Sequence, residues 1–357
     1  MGSRPYTSVV FALAGAVLLP WLASGCIYAP FDLGLERLGE LVEVPLIRGE
    51  GEGKILLLRL DGEITEHAQD EGLLGSRPSP VSRVRDELEL ARQDRDVRGI
   101  VLRINSPGGG VTASDLIYHE LVRWRAETGR PIVAYFMDTA ASGAYYVAQA
   151  ADWVVASPTA ITGSIGVVAF FPNVSGLGEK LGVQVHTLRS GAHKDLGNPF
   201  RPMEQQERQL LQQLVDALHE RFVEVVARGR APGPARAGLD REAVQRLADG
   251  RVFTAQQALD LGLVDEIGYF EAARAACERL AQAPDASVIV YERTALAAER
   301  PTIYSEARAG LPAAARGGGS TAAGAAPSAG AVLHLEWSAG RAARWPRLEY
   351  RWIPALQ

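Results

Sequence analysis

Ser142 lies in the run Thr139-Ala140-Ala141-Ser142-Gly143-Ala144-Tyr145-Tyr146, a hydroxyl among residues too small to shield it. A serine oxygen attacks a carbonyl when a base takes its proton and donors hold the negative charge that develops on the carbonyl oxygen. The run Asn105-Ser106-Pro107-Gly108-Gly109-Gly110 is suited to supply such donors. Consecutive glycines let backbone N–H groups turn toward a ligand at the start of a helix. Each loop also has a plainer explanation. The glycines can form a tight turn, and Ser142 can be an ordinary helix N-cap.

The base is the harder part to find. Of the six histidines, His67, His119, His219 and His334 fall in stretches that read as solvated, and His186 lies in an apolar segment. His193 is in a candidate loop, but there is neither a G-x-S-x-G elbow nor an H-E-x-x-H pair. Lysine is the alternative. Among 37 basic residues only Lys54, Lys180 and Lys194 are lysine, which leaves 34 arginines. Arginine never gives up its proton, so only the lysines can offer a neutral amine. Lys54 and Lys180 read as solvated ends of elements. Lys194 sits in the polar loop Ser190-Gly191-Ala192-His193-Lys194-Asp195-Leu196-Gly197-Asn198-Pro199. A lysine amine acts as a base only when burial and polar neighbours lower its pKa by about 3 from the ordinary value. The hydroxyls of Thr162 and Ser164 can accept its hydrogen bonds without adding charge. Asp195 is expected to point away, since an inward carboxylate would hold the proton on the amine.

The elements that must position these groups are legible in the hydropathy pattern. Apolar runs at 55–60, 97–104, 131–137, 153–156 and 288–292 read as strands, with extended segments at 166–171 and 183–188. Helical patterns cover 81–94, 112–127, 142–150 and 203–228, and further helices fill 240–283. Continuous apolar strands between amphipathic helices imply an α/β domain with a largely parallel, buried sheet. Both special loops leave the carboxyl ends of strands, where working loops of such sheets lie.

Composition narrows the field. With 357 residues, 47% hydrophobic and 22% charged, the chain can bury a sizeable core. A net charge of −5 gives no electrostatic basis for binding nucleic acid. Two cysteines exclude a disulfide scaffold and a four-cysteine zinc site, and no metal or cofactor is expected. Cys277 reads as a buried structural thiol. At the N-terminus, Arg4 precedes an apolar run from Val9 to Ala23 that ends in Leu22-Ala23-Ser24-Gly25-Cys26. This resembles a bacterial lipoprotein signal with Cys26 as the lipidated residue. An uncleaved membrane anchor or an ordinary secretory signal are the alternatives, and all three export the rest of the chain.

Four runs in order, Asn105-Ser106-Pro107-Gly108-Gly109-Gly110-Val111, Ala140-Ala141-Ser142-Gly143-Ala144-Tyr145-Tyr146, Thr162-Gly163-Ser164-Ile165-Gly166-Val167 and Gly191-Ala192-His193-Lys194-Asp195, resemble the signal peptide peptidase A (protease IV) family, peptidase family S49, in its short single-unit form. The runs 248–254 and 258–265 and the closing Pro346-Arg347-Leu348-Glu349-Tyr350 extend the likeness. The resemblance implies a Clp-protease/crotonase-like α/β spiral with Ser142 as nucleophile and Lys194 as general base. It implies an oxyanion hole from the N–H groups of Gly109 and Gly143, and Ser164, with Thr162, orienting the lysine. It implies a membrane-tethered serine endopeptidase that degrades remnant signal peptides or other unfolded apolar peptides on the exported, periplasmic side. It further implies a homo-oligomer whose dyad is shared between neighbouring subunits, so that Ser142 and Lys194 of one chain do not hydrogen-bond. Ala144 departs from the glycine common there. The rivals are a crotonase-like acyl-CoA enzyme on the same fold and a catalytically silent membrane scaffold. The expected organisation is a signal or anchor at 1–27, a connector at 28–53, a catalytic domain at 54–295, a low-complexity linker at 296–340 and a tail at 341–357.

Overall fold

A strand that is apolar on both sides must be covered on both, so the pattern above demands three layers. The computed structural model describes residues 40–70, 76–233, 238–293, 301–305 and 348–351. In chain order its elements are β1 (Leu41–Ile47), β2 (Lys54–Asp61), the short pair β3 (Gln69–Asp70) and β4 (Ser76–Arg77), α1 (Pro80–Gln93), β5 (Val97–Ser106), β6 (Gly108–Gly110) and α2 (Val111–Thr128). There follow β7 (Ile132–Ala141), α3 (Gly143–Ala148), β8 (Trp153–Ala156), β9 (Ile161–Gly163), β10 (Val168–Ala169), α4 (Ser175–Lys180) and α5 (Gln205–Gly229). The remainder is α6 (Arg241–Leu247), β11 (Val252–Thr254), α7 (Ala255–Asp260), β12 (Glu266–Ile267), α8 (Phe270–Ala281), β13 (Ser287–Arg293) and β14 (Leu348–Arg351).

Among the described residues the main sheet has nine strands, ordered β1-β13-β2-β5-β7-β8-β12, with β9 joined to the end of β7 and β11 to β9. All its pairings are parallel except β1 with β13 and β11 with β9. Alternation along β2 shows how the layers form. Leu56, Leu58 and Leu60 pack with Val84 and Leu88 of α1 and with Ile117 and Leu121 of α2. Ile55 and Leu57 face the other way, toward Phe270, Ala273 and Cys277 of α8. Burial pushes the Cys277 thiol up in pKa, and its Sγ lies 3.6 Å from the Ile100 carbonyl, so it is a packing group.

Local signals set the helix ends. The Ser79 hydroxyl accepts from Ser82 N–H at 3.1 Å and Pro80 opens α1. Gly129, at φ 66°, closes α2 in the left-handed conformation. At the far end of α5, Arg230 and Asp265 form a buried pair at 2.8 Å, and Arg230 also donates to the Gly262 carbonyl at 2.9 Å. That leaves neither charge isolated in the interior.

Three expectations differ from what is observed. Residues 41–47, read as connector, form the edge strand β1; the alternation of Val42, Val44 and Leu46 carries that signal. The extended segment at 183–188 runs without a strand partner, and Val183, Val185 and Leu188 are exposed. Within the tail, residues 348–351 form β14, the central strand of a small antiparallel sheet between β10 and β6. The segment 1–27 with Cys26, and the linker apart from 301–305, lie outside the described residues. No helix among the described residues is long and apolar enough to cross a membrane.

Candidate active site

The sheet brings the two loops together before any side chain acts. β5 and β7 are parallel neighbours, and their last pairing sets Ser106 beside Ala140. The Asn105 side-chain oxygen accepts from Thr139 N–H at 3.3 Å, which ties the glycine loop to the serine loop. Over its first half β7 pairs with β8, and over its last three residues with β9. The chain then turns sharply at Ser142 into α3.

Ser142 has φ 55° and ψ −121°, a left-handed conformation that costs a residue bearing a Cβ about 1–3 kcal/mol. Its side chain makes no capping hydrogen bond, so the N-cap explanation fails. The residue is 1% exposed, and its Oγ is buried with no hydrogen-bond partner among the described residues. A buried hydroxyl left unpaired costs about 1–3 kcal/mol. Strain and an unpaired oxygen at one residue make Ser142 a candidate for chemistry. Ser142 stands at a strand-to-helix turn between the small residues Ala141 and Gly143. The N–H of Gly143, the first residue of α3, is one that a helix leaves without an internal acceptor.

The glycine loop presents a single edge. Gly110 N–H donates to the Ile64 carbonyl at 2.9 Å, and Ile64 N–H donates to the Gly108 carbonyl at 2.9 Å. Alternation in a strand therefore turns the N–H of Gly109 toward the opposite edge. Only glycine fits here, because a Cβ on residue 109 would lie 2.1 Å from the Ile64 carbonyl oxygen. On the open edge runs β14, antiparallel, with Tyr350 opposite Gly109. Its other side pairs with β10, where Leu348 is opposite Ala169. α3 lies against both β6 and β14. The groove beside Ser142 thus holds an extended peptide segment between two strand edges.

Behind the serine, Ser142 N–H donates to the Gly163 carbonyl at 2.8 Å. The Thr162 hydroxyl donates to the Ala140 carbonyl at 2.7 Å, which commits its proton to the backbone of β7. Ser164, at φ 50° and nearly buried, is held through its N–H by the Arg251 carbonyl at 2.7 Å. Lys194 stands apart. It is exposed in the loop after the unpaired 183–188 segment, and no hydrogen bond joins it to Ser142 within the chain. Its neighbour Asp195 points into a pair of guanidiniums, 3.0 Å from Arg201 and 2.6 Å from Arg189. Hydrogen bonds from Arg201 and Arg189 hold its carboxyl well below the usual carboxylate range. Arg201 also pairs with Glu207 at 2.8 Å, and Glu207 accepts from Gly197 N–H. Burial works to raise the Glu207 pKa, but these bonds outweigh it and lower it overall. Arg201 and Glu207 thus pin the base of the Lys194 loop to the start of α5. They were not singled out from sequence, where an arginine among 34 carries no signal.

The arrangement can position a serine oxygen, backbone donors and an extended peptide together. No histidine is bonded to Ser142, and among the described residues no cluster of three His, Cys, Asp or Glu could hold a metal. Comparison with known proteins agrees in kind. Residues 125–284 match the model of "Peptidase family S49". The chain is 37% identical over 253 residues to "Putative signal peptide peptidase SppA" of Enterococcus faecium, covering 71% of each chain. It is 34% identical over 249 residues to "Putative protease MJ0651" of Methanocaldococcus jannaschii, covering 70% of this chain and 76% of that one. With "Serine protease SPPA, chloroplastic" of Arabidopsis thaliana the identity is 31% over 237 residues, covering 66% of this chain and 33% of the longer relative.

Proposed function

The chain belongs to peptidase family S49, serine endopeptidases of Clp-protease/crotonase-like fold, and from that premise we propose that Ser142 is its nucleophile and Lys194 of a neighbouring copy its general base. Ser142 Oγ attacks the peptide carbonyl as its proton passes to the lysine amine. The N–H groups of Gly109 and Gly143 hold the resulting oxyanion. The lysine ammonium then protonates the leaving amine, and water hydrolyses the acyl-enzyme by the same route.

The observation that carries this reading is β14, an extended segment seated between β10 and β6 with Tyr350 opposite Gly109. A substrate strand in that place adds main-chain hydrogen bonds on both edges. It sets the carbonyl of the residue opposite Gly109 toward the Gly109 N–H, beside the turn at Ser142. The exposure of Lys194 favours a dyad shared between copies. A second copy that covered the loop would bury the amine, and the exposed Val183, Val185 and Leu188 beside it supply an apolar surface for that contact. Ser164, whose N–H is bonded to the Arg251 carbonyl, orients the incoming lysine in this reading.

We infer that the substrates are remnant signal peptides or similar unfolded apolar peptides, in keeping with the name of the Enterococcus faecium relative. The 1–27 segment tethers the enzyme to the membrane, through a lipid on Cys26 or as an anchor, with the catalytic domain outside. The test is cleavage of a signal-peptide substrate by the full chain in detergent. Ser142→Ala and Lys194→Ala should each abolish it, and full activity in either removes the dyad.

A further inference from the structure

The two donors of the proposed oxyanion hole stand on different pieces of the fold. Gly109 lies in β6, two residues before α2 begins, and Gly143 opens α3. Their separation must be held to within about 0.5 Å if both are to meet the developing charge. At the strand ends the tie between the two loops is the bond from Thr139 N–H to Asn105. About one helical turn further on there is a second tie, made by side chains the mechanism does not use. The Tyr146 hydroxyl of α3 donates to Asp115 Oδ1 of α2, and Arg221 of α5 donates to the same oxygen at 3.2 Å. Each partner is joined closely to its own loop. Tyr146 N–H donates to the Ser142 carbonyl at 2.9 Å, and the Ser114 hydroxyl, next to Asp115 in the chain, donates to the Gly110 carbonyl at 2.9 Å.

The hydroxyl is not needed to fill space. The Tyr146 ring is buried, edge-on to Tyr118 of α2 at 5.4 Å and to Phe222 of α5 at 5.2 Å between centroids, and a phenylalanine ring can make the same contacts. Asp115 and Arg221 are half-exposed, so water screens their ion pair and it adds little stability. What the carboxylate adds is geometry. A charge-assisted hydrogen bond is short and directional, and this one spans the two helices entered from the glycine loop and the serine loop.

We propose that Tyr146 and Asp115 are positioning residues: their bond fixes α3 against α2, holds Ser142 and the Gly143 N–H in place relative to Gly109, and so sets kcat without touching the substrate. The inference rests on the reading of Ser142 as nucleophile. It is tested with the full-length protein in detergent and a signal-peptide substrate, well below the melting temperature of each variant. Tyr146→Phe should melt close to the wild type and lose about tenfold in kcat with KM unchanged, the size expected of a displacement below about 1 Å. Asp115→Ala should show the same loss. Asp115→Asn, whose side-chain oxygen still accepts from the hydroxyl, should recover most of it. The double variant Tyr146→Phe/Asp115→Ala should be no slower than either single, because the same bond is lost in all three. Wild-type kcat in Tyr146→Phe, a loss carried by KM, no recovery in Asp115→Asn, or losses that multiply in the double variant overturn the tie alone, provided cleavage still depends on Ser142. Cleavage that survives Ser142→Ala overturns the nucleophile reading and this proposal with it.

Discussion

The amide of Ser142 is bonded to the carbonyl of Gly163 at 2.8 Å, so the strained serine is held in place by a glycine that is itself at φ 87°. A Cβ on residue 163 would meet the Phe253 ring at 2.5 Å. Gly163→Ala therefore forces both an unfavourable backbone angle and a clash, at about 1–3 kcal/mol for the strain alone. The expected result is a lowered melting temperature together with a loss of kcat of at least about tenfold, because the bond that sets Ser142 shifts. A variant that melts lower but retains full kcat would show that Gly163 serves only the fold.

Mixing tests the shared dyad. Ser142→Ala and Lys194→Ala should each be inactive, but co-assembled from denaturant in equal amounts they should regain about a quarter of wild-type activity, since random assembly pairs an intact serine with an intact lysine at that frequency. A dyad within one chain predicts no recovery at all. Lys194→Arg keeps the charge and removes the neutral amine, so it should be as inactive as Lys194→Ala.

Gly109→Ala places a methyl 2.1 Å from the Ile64 carbonyl oxygen, and so must rotate or displace the N–H that faces the groove. Removal of one oxyanion donor costs about 10²–10³ in kcat. We expect a loss in that range from steady-state kinetics. A change confined to KM would assign Gly109 to peptide binding instead.

Acid should loosen the Lys194 loop before the core. Arg201 and Arg189 hold the Asp195 carboxyl below its ordinary value, and Arg201 with backbone donors does the same for Glu207 against the effect of burial. A carboxylate whose folded pKa is depressed contributes stability above its unfolded pKa of about 4, and loses it as pH falls toward the folded value. Hydrogen exchange across residues 189–201 should therefore accelerate as pH is lowered from about 5 to 3, after correction for intrinsic rates, while β5 and β7 stay protected. Asp195→Asn should show the faster exchange already at neutral pH. Equal protection in the variant and the wild type would refute the clamp.

Much of the fold was legible because burial on both faces of a parallel sheet leaves unbroken apolar runs. β2, β5, β7, β8 and β13 stand at or within a few residues of their expected places, as do α1, α2 and α5. The edge strand β1 was harder to read, since one side of an edge meets solvent and its sequence mixes glutamate and proline with valine. β14 lies in a run that resembles the family's tail but carries no strand pattern of its own, because a four-residue strand held by two edges from distant parts of the chain depends on those edges and not on its own composition.

The sequence by itself determined which residues have the chemistry. A serine among small neighbours, consecutive glycines after an apolar strand, and one loop lysine in a chain of arginines are matters of atom type, and atom type is local. The tertiary structure decided how those atoms stand. It set Ser142 at a strained turn with its oxygen unpaired, turned the Gly109 N–H to an edge that holds an extended chain, committed the Thr162 hydroxyl to Ala140, and left Lys194 in solvent with Asp195 drawn off by two arginines. Direction, pairing and exposure arise from contacts between segments far apart in the chain, and no spacing within one loop encodes them.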